Sequence, residues 1–296
     1  AQITNYGEYL ERFPPAWEVG IFENSSWSCI HGIERWRSDC GCNSGMHQGW
    51  QQEWRAPLRG ALDWLRDNLA HIFEENMNSL MQDPWRLRNE YIRVISDRSD
   101  SSVDRFFSEY QTHELSAEEK MRALKLLEMQ RYAMYMYTSC GWFFDEISGI
   151  ETVQILKYAA RAIQLAAEVS GISFEEPFSK LLERAPSNIE HYQNGMKIYD
   201  MFVKPVVLDL KRVGVHFAIS SIFKEYAKEL QLYSYHIRAH KYQNYSLGKQ
   251  ELAVGTISVH SQVTREKKDL QFAVFYLGDH NVISGGDQTT IGSFSA

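Results

Sequence analysis

Apolar residues recur at helical spacing through much of the chain. Between residues 58 and 73, leucine, isoleucine and phenylalanine fall three or four positions apart and would line one face of a helix. The segment Ser116-Ala117-Glu118-Glu119 is a capping box that opens another helix, and Gly171 suits the left-handed end of a further one. Helical patterns continue to about Leu230. They predict a helical array over residues 53–230.

The period of the pattern changes to two after Leu230. Apolar and polar residues alternate over residues 232–242, 251–260 and 270–277, with turn signals between these segments. They predict an antiparallel β meander that packs on the helices or on strands outside this chain, because three strands alone form an incomplete sandwich. The expected fold is mainly α, a helical array with a C-terminal antiparallel β meander (α+β).

Regular structure is only weakly indicated in the first 52 residues. Residues 6–13 fit one short helix before Pro14-Pro15, and residues 19–22 fit a short strand. Residues 23–52 are rich in Ser, Gly, Cys and Trp without any period, which indicates a loop ordered by its tryptophans. We therefore expect an N-terminal segment with this loop (1–52), a helical domain (53–230) and a β segment (231–296). A start without Met and a polar, glycine-rich end predict a fragment of a larger protein.

Composition and charge exclude several classes of partner. The net charge is −7 and no long run of Lys or Arg occurs, so nucleic acid is not an expected partner. No stretch reaches the ~18 apolar residues of a membrane helix, and the start lacks the features of a signal peptide. We expect a cytoplasmic protein without a membrane partner.

The tryptophan-rich loop is the first candidate for chemistry. It contains Trp27, His31, Arg35, Trp36 and Asp39. Tryptophan rings stack on the apolar faces of sugar rings, and charged side chains hydrogen-bond the hydroxyls. The alternative is that the tryptophans plug the ends of the helices while the polar side chains bond the loop backbone. We favour a sugar site, because long loops rich in potential ligands commonly have a functional reason.

Three of the four cysteines lie in the same loop. The pairs Cys29-x-His31 and Cys40-x-Cys42 offer the ligands of tetrahedral zinc, but paired ligands in structural sites are typically separated by about two to four residues. A zinc site, a disulfide and packed free thiols all remain open. The spacing favours thiols or one disulfide, with Asp39 and Arg35 ordering the loop by a charge-assisted hydrogen bond. We expect no metal and no other cofactor.

A second constellation lies between two helices. It contains Trp142, Phe143, Asp145 and Glu146, followed by Glu151. Adjacent carboxylates point in different directions, whereas a retaining glycosidase needs its two carboxyl groups ~5 Å apart across a bond. The alternative to a catalytic pair is an acidic cluster at a helix N-terminus. Helices of similar length separate the two loops, so we expect the loops to meet in space.

At these two loops the sequence resembles an uncharacterised domain that follows the catalytic barrel in bacterial proteins similar to family-57 glycoside hydrolases. The matching segments are residues 27–42, 54–67 and 138–161. The wider family, which includes α-glucan branching enzymes and glucanotransferases, pairs an incomplete TIM-like barrel with a helical domain that closes the substrate cleft. Ser26-Trp27 resembles a Ser-Trp pair that follows a barrel strand. Residues 139–143 resemble a Ser-Ser-Asp-Trp motif, but Gly141 stands in place of the aspartate.

The resemblance implies the C-terminal accessory part of an α-glucan-active protein, which closes the cleft and contacts substrate. The tryptophans would stack on sugar, and the polar side chains would bond hydroxyls or orient the loop. The candidate substrate-binding residues are Trp27, His31, Arg35, Trp36, Asp39, Trp142, Phe143, Asp145, Glu146 and Glu151.

The implied partners are carbohydrate, namely an α-glucan, and the upstream catalytic barrel domain of the same protein. The family's nucleophile and general acid lie on barrel strands, so catalytic residues are unknown here and we expect this chain alone to be inactive. Two alternatives remain. One is a non-catalytic carbohydrate-binding or protein-interaction module, and the other is a structural, metal-stabilised helical domain.

Overall fold

The computed structural model describes residues 2–288 and divides them into a helical array followed by a sheet. The helices are α1 (Tyr6–Arg12), α2 (Arg55–Met77), α3 (Pro84–Glu90), α4 (Ile92–Ser96), α5 (Asp100–Ser108), α6 (Ala117–Tyr135), α7 (Cys140–Phe143), α8 (Ile150–Ser170), α9 (Glu175–Leu182), α10 (Gly195–Phe202) and α11 (Leu210–Phe223). The strands are β1 (Glu229–Leu232), β2 (Tyr235–Leu247), β3 (Gln250–Ser261), β4 (Lys267–Gly278) and β5 (Asn281–Gln288). The expected α+β class is confirmed.

The first hydrophobic core lies among α2, α6 and α8. The stripe predicted on α2 is fully buried and faces this core, as Leu58, Leu65 and Phe73 illustrate. The predicted capping box opens α6, where the Ser116 hydroxyl accepts from the Glu119 amide and the Glu119 carboxylate accepts from the Ser116 amide. The apolar stripe thus orients α2 against the core, and the capping box fixes the first turn of α6.

The second core lies between α11 and the sheet. The strands follow one another in the order β1-β2-β3-β4-β5, each antiparallel to the next, so the predicted meander is confirmed. Helix α11 packs closely on β3 and β4: a Cβ atom added at Gly214 would lie 2.5 Å from Leu270 Cδ1. The buried residues of this core begin at Leu210. Helix α11 therefore belongs with the sheet, and the helical period alone did not indicate this.

Two strand expectations need correction. Residues 19–22 form no strand, because no segment within residues 2–288 pairs with them and their apolar side chains are exposed. The sheet also gains two strands that the alternation did not reveal. Strand β1 is only four residues long, and β5 contains adjacent glycines, so neither shows a clear two-residue period.

Charged side chains join the turn between β3 and β4 to the helical array. Lys125 of α6 is buried and lies 2.8 Å from Glu168 and 3.0 Å from Glu266. Arg98 donates to the Val263 carbonyl at 3.5 Å. The sheet thus contacts the helices through this turn. None of the helices between residues 2 and 288 combines the length and apolar character needed to cross a membrane.

Candidate functional site: the composite loop surface

The two loops meet at one end of the helical array, as the sequence analysis predicts. Trp36 Nε1 donates to the Ser139 carbonyl at 3.0 Å, across a separation of 103 residues. The Trp27 ring stacks on Phe143 with their centroids 5.4 Å apart, and the Arg35 guanidinium lies 4.4 Å from the Phe143 centroid. We call the surface formed by residues 26–44 and 138–146 the composite loop surface.

A buried tryptophan pair lies beneath this surface. Trp54 and Trp142 stack with centroids 6.3 Å apart, and Trp142 is only 1% exposed. The Trp54 indole donates to the Asp145 carbonyl at 3.3 Å. Trp142 therefore has no face open to a sugar in this structure, and it plugs the helix ends as the alternative interpretation described. A side chain at position 141 would require Ile155 to shift, because an added Cβ would lie 2.5 Å from Ile155 Cγ2.

The two adjacent carboxylates hold the loops in place. Asp145 is buried and accepts hydrogen bonds from the Ser44 amide, at 2.8 and 3.1 Å, and from the Ser44 hydroxyl. Glu146 is also buried and accepts from the Asn188 amide at 2.8 Å and from the Ser148 amide at 3.1 Å. Their oxygens are thus engaged by protein groups. Both buried side chains therefore join neighbouring loop segments.

Two further residues join the loops and were not singled out in the sequence. Asn188 donates to the Gln51 carbonyl at 2.9 Å and to the Asp145 carbonyl at 3.0 Å. Arg55 is fully buried and donates to the Cys42 carbonyl at 2.8 Å and to the Phe144 carbonyl at 3.3 Å. Asn188 lies in a third loop whose sequence gave no indication of a functional residue. Arg55 lies in residues 54–67, one of the segments that carry the family resemblance, so this resemblance could have pointed to Arg55.

Arg55 is unusual among arginines because it is buried. Burial is the main cause that lowers the pKa of its guanidinium, and the nearby charge of Arg35 lowers it further. Arg35 is itself only 4% exposed and donates to the Ser28 carbonyl at 3.2 Å. Asp39 accepts from the Gly41 amide at 3.4 Å. Arg35 and Asp39 therefore order the loop through separate backbone contacts and not through the expected bond to each other.

Three thiols and one imidazole converge under the loop. The Cys29 Sγ atom lies 3.7 Å from Cys40 Sγ and 3.7 Å from Cys42 Sγ, and His31 Nδ1 lies 3.6 Å from Cys42 Sγ. All four potential ligand atoms lie within 4.8 Å of one another. A disulfide bond is about 2.05 Å long, so these cysteines are free thiols here. The one-residue spacing that counted against a metal therefore does not keep the four atoms apart.

The thiol at the centre of this cluster is acidic. Burial raises the pKa of Cys29, but the backbone amides of Arg35 and His31 and the thiols of Cys40 and Cys42 outweigh it. The resulting pKa falls from 9.0 to about 7. A thiol with this pKa is substantially ionised at neutral pH, which is the form that binds metals and reacts with electrophiles.

The solvent face of the composite loop surface is aromatic. Trp27 is 84% exposed and Phe144 is 41% exposed, while Trp36 is half-buried. His31 and Asp39 are exposed beside them. A shallow hollow of about 260 Å³ adjoins the second loop. Its polar and aromatic lining comes from Thr138, Cys140, Glu151, Gln154 and Tyr158.

A larger cavity lies elsewhere, against the sheet. This cleft of about 1030 Å³ is lined by residues of β2 to β5 and by Lys211 of α11. His240 on its wall lies 2.7 Å from the Ser258 hydroxyl, which donates to Asp269. A catalytic triad places histidine between serine and the acid, whereas here serine is in the middle, so this arrangement does not activate a nucleophile.

Comparison with known proteins identifies the family. Residues 50–292 match the family described as "Domain of unknown function (DUF3536)", and the chain belongs to this family. The matched range contains the second loop, the helices from α2 onward and the sheet, whereas the cysteine cluster precedes it. No curated protein and no solved structure shows significant similarity to the chain.

Proposed function

We propose that this DUF3536 member is the accessory, cleft-closing and substrate-contacting part of a protein resembling family-57 glycoside hydrolases. It contacts α-glucan through the exposed aromatic face of the composite loop surface. The observation that carries the proposal is Trp27, a tryptophan that is 84% exposed yet held by stacking on Phe143. The residues proposed to touch sugar are Trp27, Trp36 and Phe143, together with His31, Asp39 and Glu151.

The support is energetic. An exposed tryptophan on a mobile segment would lose conformational entropy when it bound a ligand, typically about 0.5–1.5 kcal/mol for an immobilised side chain. Trp27 is already positioned by Phe143, and Arg35 lies over the same phenyl ring. The ring is therefore available for stacking with little further ordering. The exposed His31 and Asp39 supply hydrogen-bonding groups for sugar hydroxyls at the same surface.

Glycan binding by single variants tests the proposal. Binding of maltoheptaose is measured by calorimetry, and retention by glycogen is measured by affinity gel electrophoresis. Trp27→Ala is expected to weaken binding by about tenfold, because aromatic stacking contributes up to about 1.5 kcal/mol. The matched control is Trp17→Ala, since Trp17 is 90% exposed but lies outside both loops. No binding by the unmodified chain, or an equal loss in both variants, contradicts the proposal.

The proposal also holds that the catalytic carboxylates belong to the barrel domain, its partner. Asp145 and Glu146 are engaged by Ser44 and Asn188, which supports a positioning role for both acids. We expect no release of reducing ends from starch, glycogen or maltooligosaccharides by this chain alone. Turnover that Glu151→Gln abolishes would refute this and would make Glu151 a catalytic residue.

A second candidate, a protein-interaction function, is favoured by the N-terminal segment. Helix α1 buries none of its residues, and large apolar side chains remain exposed up to residue 22. Exposed apolar surface of this kind is typical of interaction sites, and the proposed partner is the upstream barrel domain. Limited proteolysis compares this chain with the product of its whole gene. Protection of residues 3–22 in the longer protein supports docking, whereas equal cleavage in both proteins contradicts it.

A further inference from the structure

The four side chains of the cysteine cluster have the separations of a tetrahedral metal site. With metal–sulfur and metal–nitrogen bonds of about 2.3 and 2.05 Å, tetrahedral zinc requires edges of roughly 3.8 Å between sulfurs and 3.6 Å between sulfur and nitrogen. The Cys29 sulfur lies 3.7 Å from each of the other two sulfurs. His31 Nδ1 lies 3.6 Å from Cys42 Sγ and 4.0 Å from Cys29 Sγ. Four of the six separations therefore lie close to the edges of tetrahedral zinc, and the other two are at most 4.8 Å.

The backbone explains how ligands separated by one residue converge. Gly41, between Cys40 and Cys42, has a φ of +79°, in the left-handed region that glycine adopts without strain. Gly32, directly after His31, also has a φ of +79°, and a Cβ there would lie 2.4 Å from the Asn24 carbonyl oxygen. Each ligand pair is therefore turned by an adjacent glycine. The short spacing reflects these turns and does not prevent a closed site.

The surroundings of the cluster suit a negative charge. Three thiolates, a neutral imidazole and a divalent ion together carry a net charge of −1. Arg35 and Arg55 are 4% and 0% exposed, and their Nε atoms have no hydrogen-bond partner among residues 2–288. Arg55 also donates to the carbonyl of Cys42, at 2.8 Å. Nearby negative charge stabilises a buried cation. The charges of Asp145 and Asp39 already act on Arg55, and a zinc–thiolate centre would add to them.

We propose that Cys29, His31, Cys40 and Cys42 bind one zinc ion as a structural site. Three cysteines and one histidine are an established ligand set for tetrahedral zinc, and four protein ligands leave no position for water or substrate. His31 binds the ion through Nδ1, so only its Nε2 atom can face a sugar hydroxyl. The ion closes the loop between residues 29 and 42, next to Trp27 on one side and Ser44 on the other. The site holds the exposed tryptophan and the Ser44–Asp145 contact in place. This inference does not depend on glycan binding.

Elemental analysis tests the site in the full chain, purified without a metal-affinity tag from zinc-supplemented cells. We expect one zinc per chain in the unmodified protein and a loss of most of it in Cys42→Ser. The matched control is Cys140→Ser, because Cys140 is the one exposed cysteine among the four and lies outside the cluster. This control is expected to retain the zinc. A zinc content below about a tenth per chain in the unmodified protein, or equal zinc in both variants, overturns the proposal.

Cobalt gives a second readout that does not require a folded variant. Protein stripped with a chelator is titrated with Co²⁺, and the visible absorption of tetrahedral thiolate-bound cobalt is recorded. We expect this absorption to saturate at one equivalent and to disappear when Zn²⁺ is added. A thiol reagent first confirms that the three cysteines of the stripped protein are reduced. If they are reduced and no cobalt absorption appears, the site is overturned, even if Cys42→Ser fails to fold.

Discussion

Replacing Asp145 by asparagine removes the charge that holds the first loop against the second. The aspartate accepts from the Ser44 amide and hydroxyl in a buried environment. Asparagine keeps one acceptor oxygen but presents an amide group to the other donor, so about one hydrogen bond is lost. A hydrogen bond to a charged group contributes about 1.5–3 kcal/mol, which gives an expected loss of about 2 kcal/mol. The melting temperature should fall by roughly 4–8 °C for a unit of 150–250 residues.

Thermal unfolding followed by tryptophan fluorescence measures this change. All eight tryptophans precede residue 143, so the signal reports the helical array and the loops and not the sheet. The matched control is Asp67→Asn on α2, since the Asp67 side chain is 68% exposed and pairs with the exposed Arg66. We expect this control to change stability by less than about 0.5 kcal/mol. Equal melting temperatures for both variants would show that the Asp145 contact does not stabilise the loops.

Two further predictions concern packing and pH. Gly141→Ala should destabilise the chain by about 1–3 kcal/mol in urea unfolding, because the new Cβ would meet Ile155 at 2.5 Å. Gly60→Ala, with no atom within 4 Å, should stabilise it by about 0.5–1 kcal/mol, and shifts of the same sign would refute the packing argument. The Ser116 amide and hydroxyl lower the pKa of Glu119 from 4.5 to about 2. This stabilisation is present above pH 4.5 and is lost as the pH falls towards 2, so the gap in melting temperature between the unmodified chain and Glu119→Gln should close over that range. A difference in melting temperature that does not vary with pH would contradict the stabilising role of the ionised Glu119.

Local signals predicted most of the helical array. The stripe on α2, the capping box at Ser116 and the left-handed Gly171 each determine structure within a few residues, and all three are observed. Contacts between elements that are distant in the sequence were harder to predict. Strand β5 forms by pairing with β4, and its glycines hide the two-residue alternation. Helix α11 shows a helical pattern, but periodicity does not reveal which surface a helix covers.

The candidate site was predictable only in part, because some of its contacts depend on residues that are distant in the sequence. The meeting of the two loops was expected from the similar lengths of the helices between them, and the Trp36–Ser139 hydrogen bond shows that they meet. The burial of Trp142 depends on Trp54, which lies far from it in the sequence. Composition alone therefore could not distinguish a tryptophan packed at the helix ends from one that is exposed to a sugar. The convergence of the cysteines depends on the left-handed turn at Gly41, which is a property of the folded backbone.

Hydrogen–deuterium exchange with and without maltoheptaose tests the central claim most directly, because it locates the glycan on the chain. We expect slower exchange in peptides that cover residues 26–44 and 138–146, the composite loop surface, and no change in α11 or the sheet. Unchanged exchange in both loops at saturating maltoheptaose, or protection confined to the strands around the sheet cleft, would contradict glycan binding at this surface.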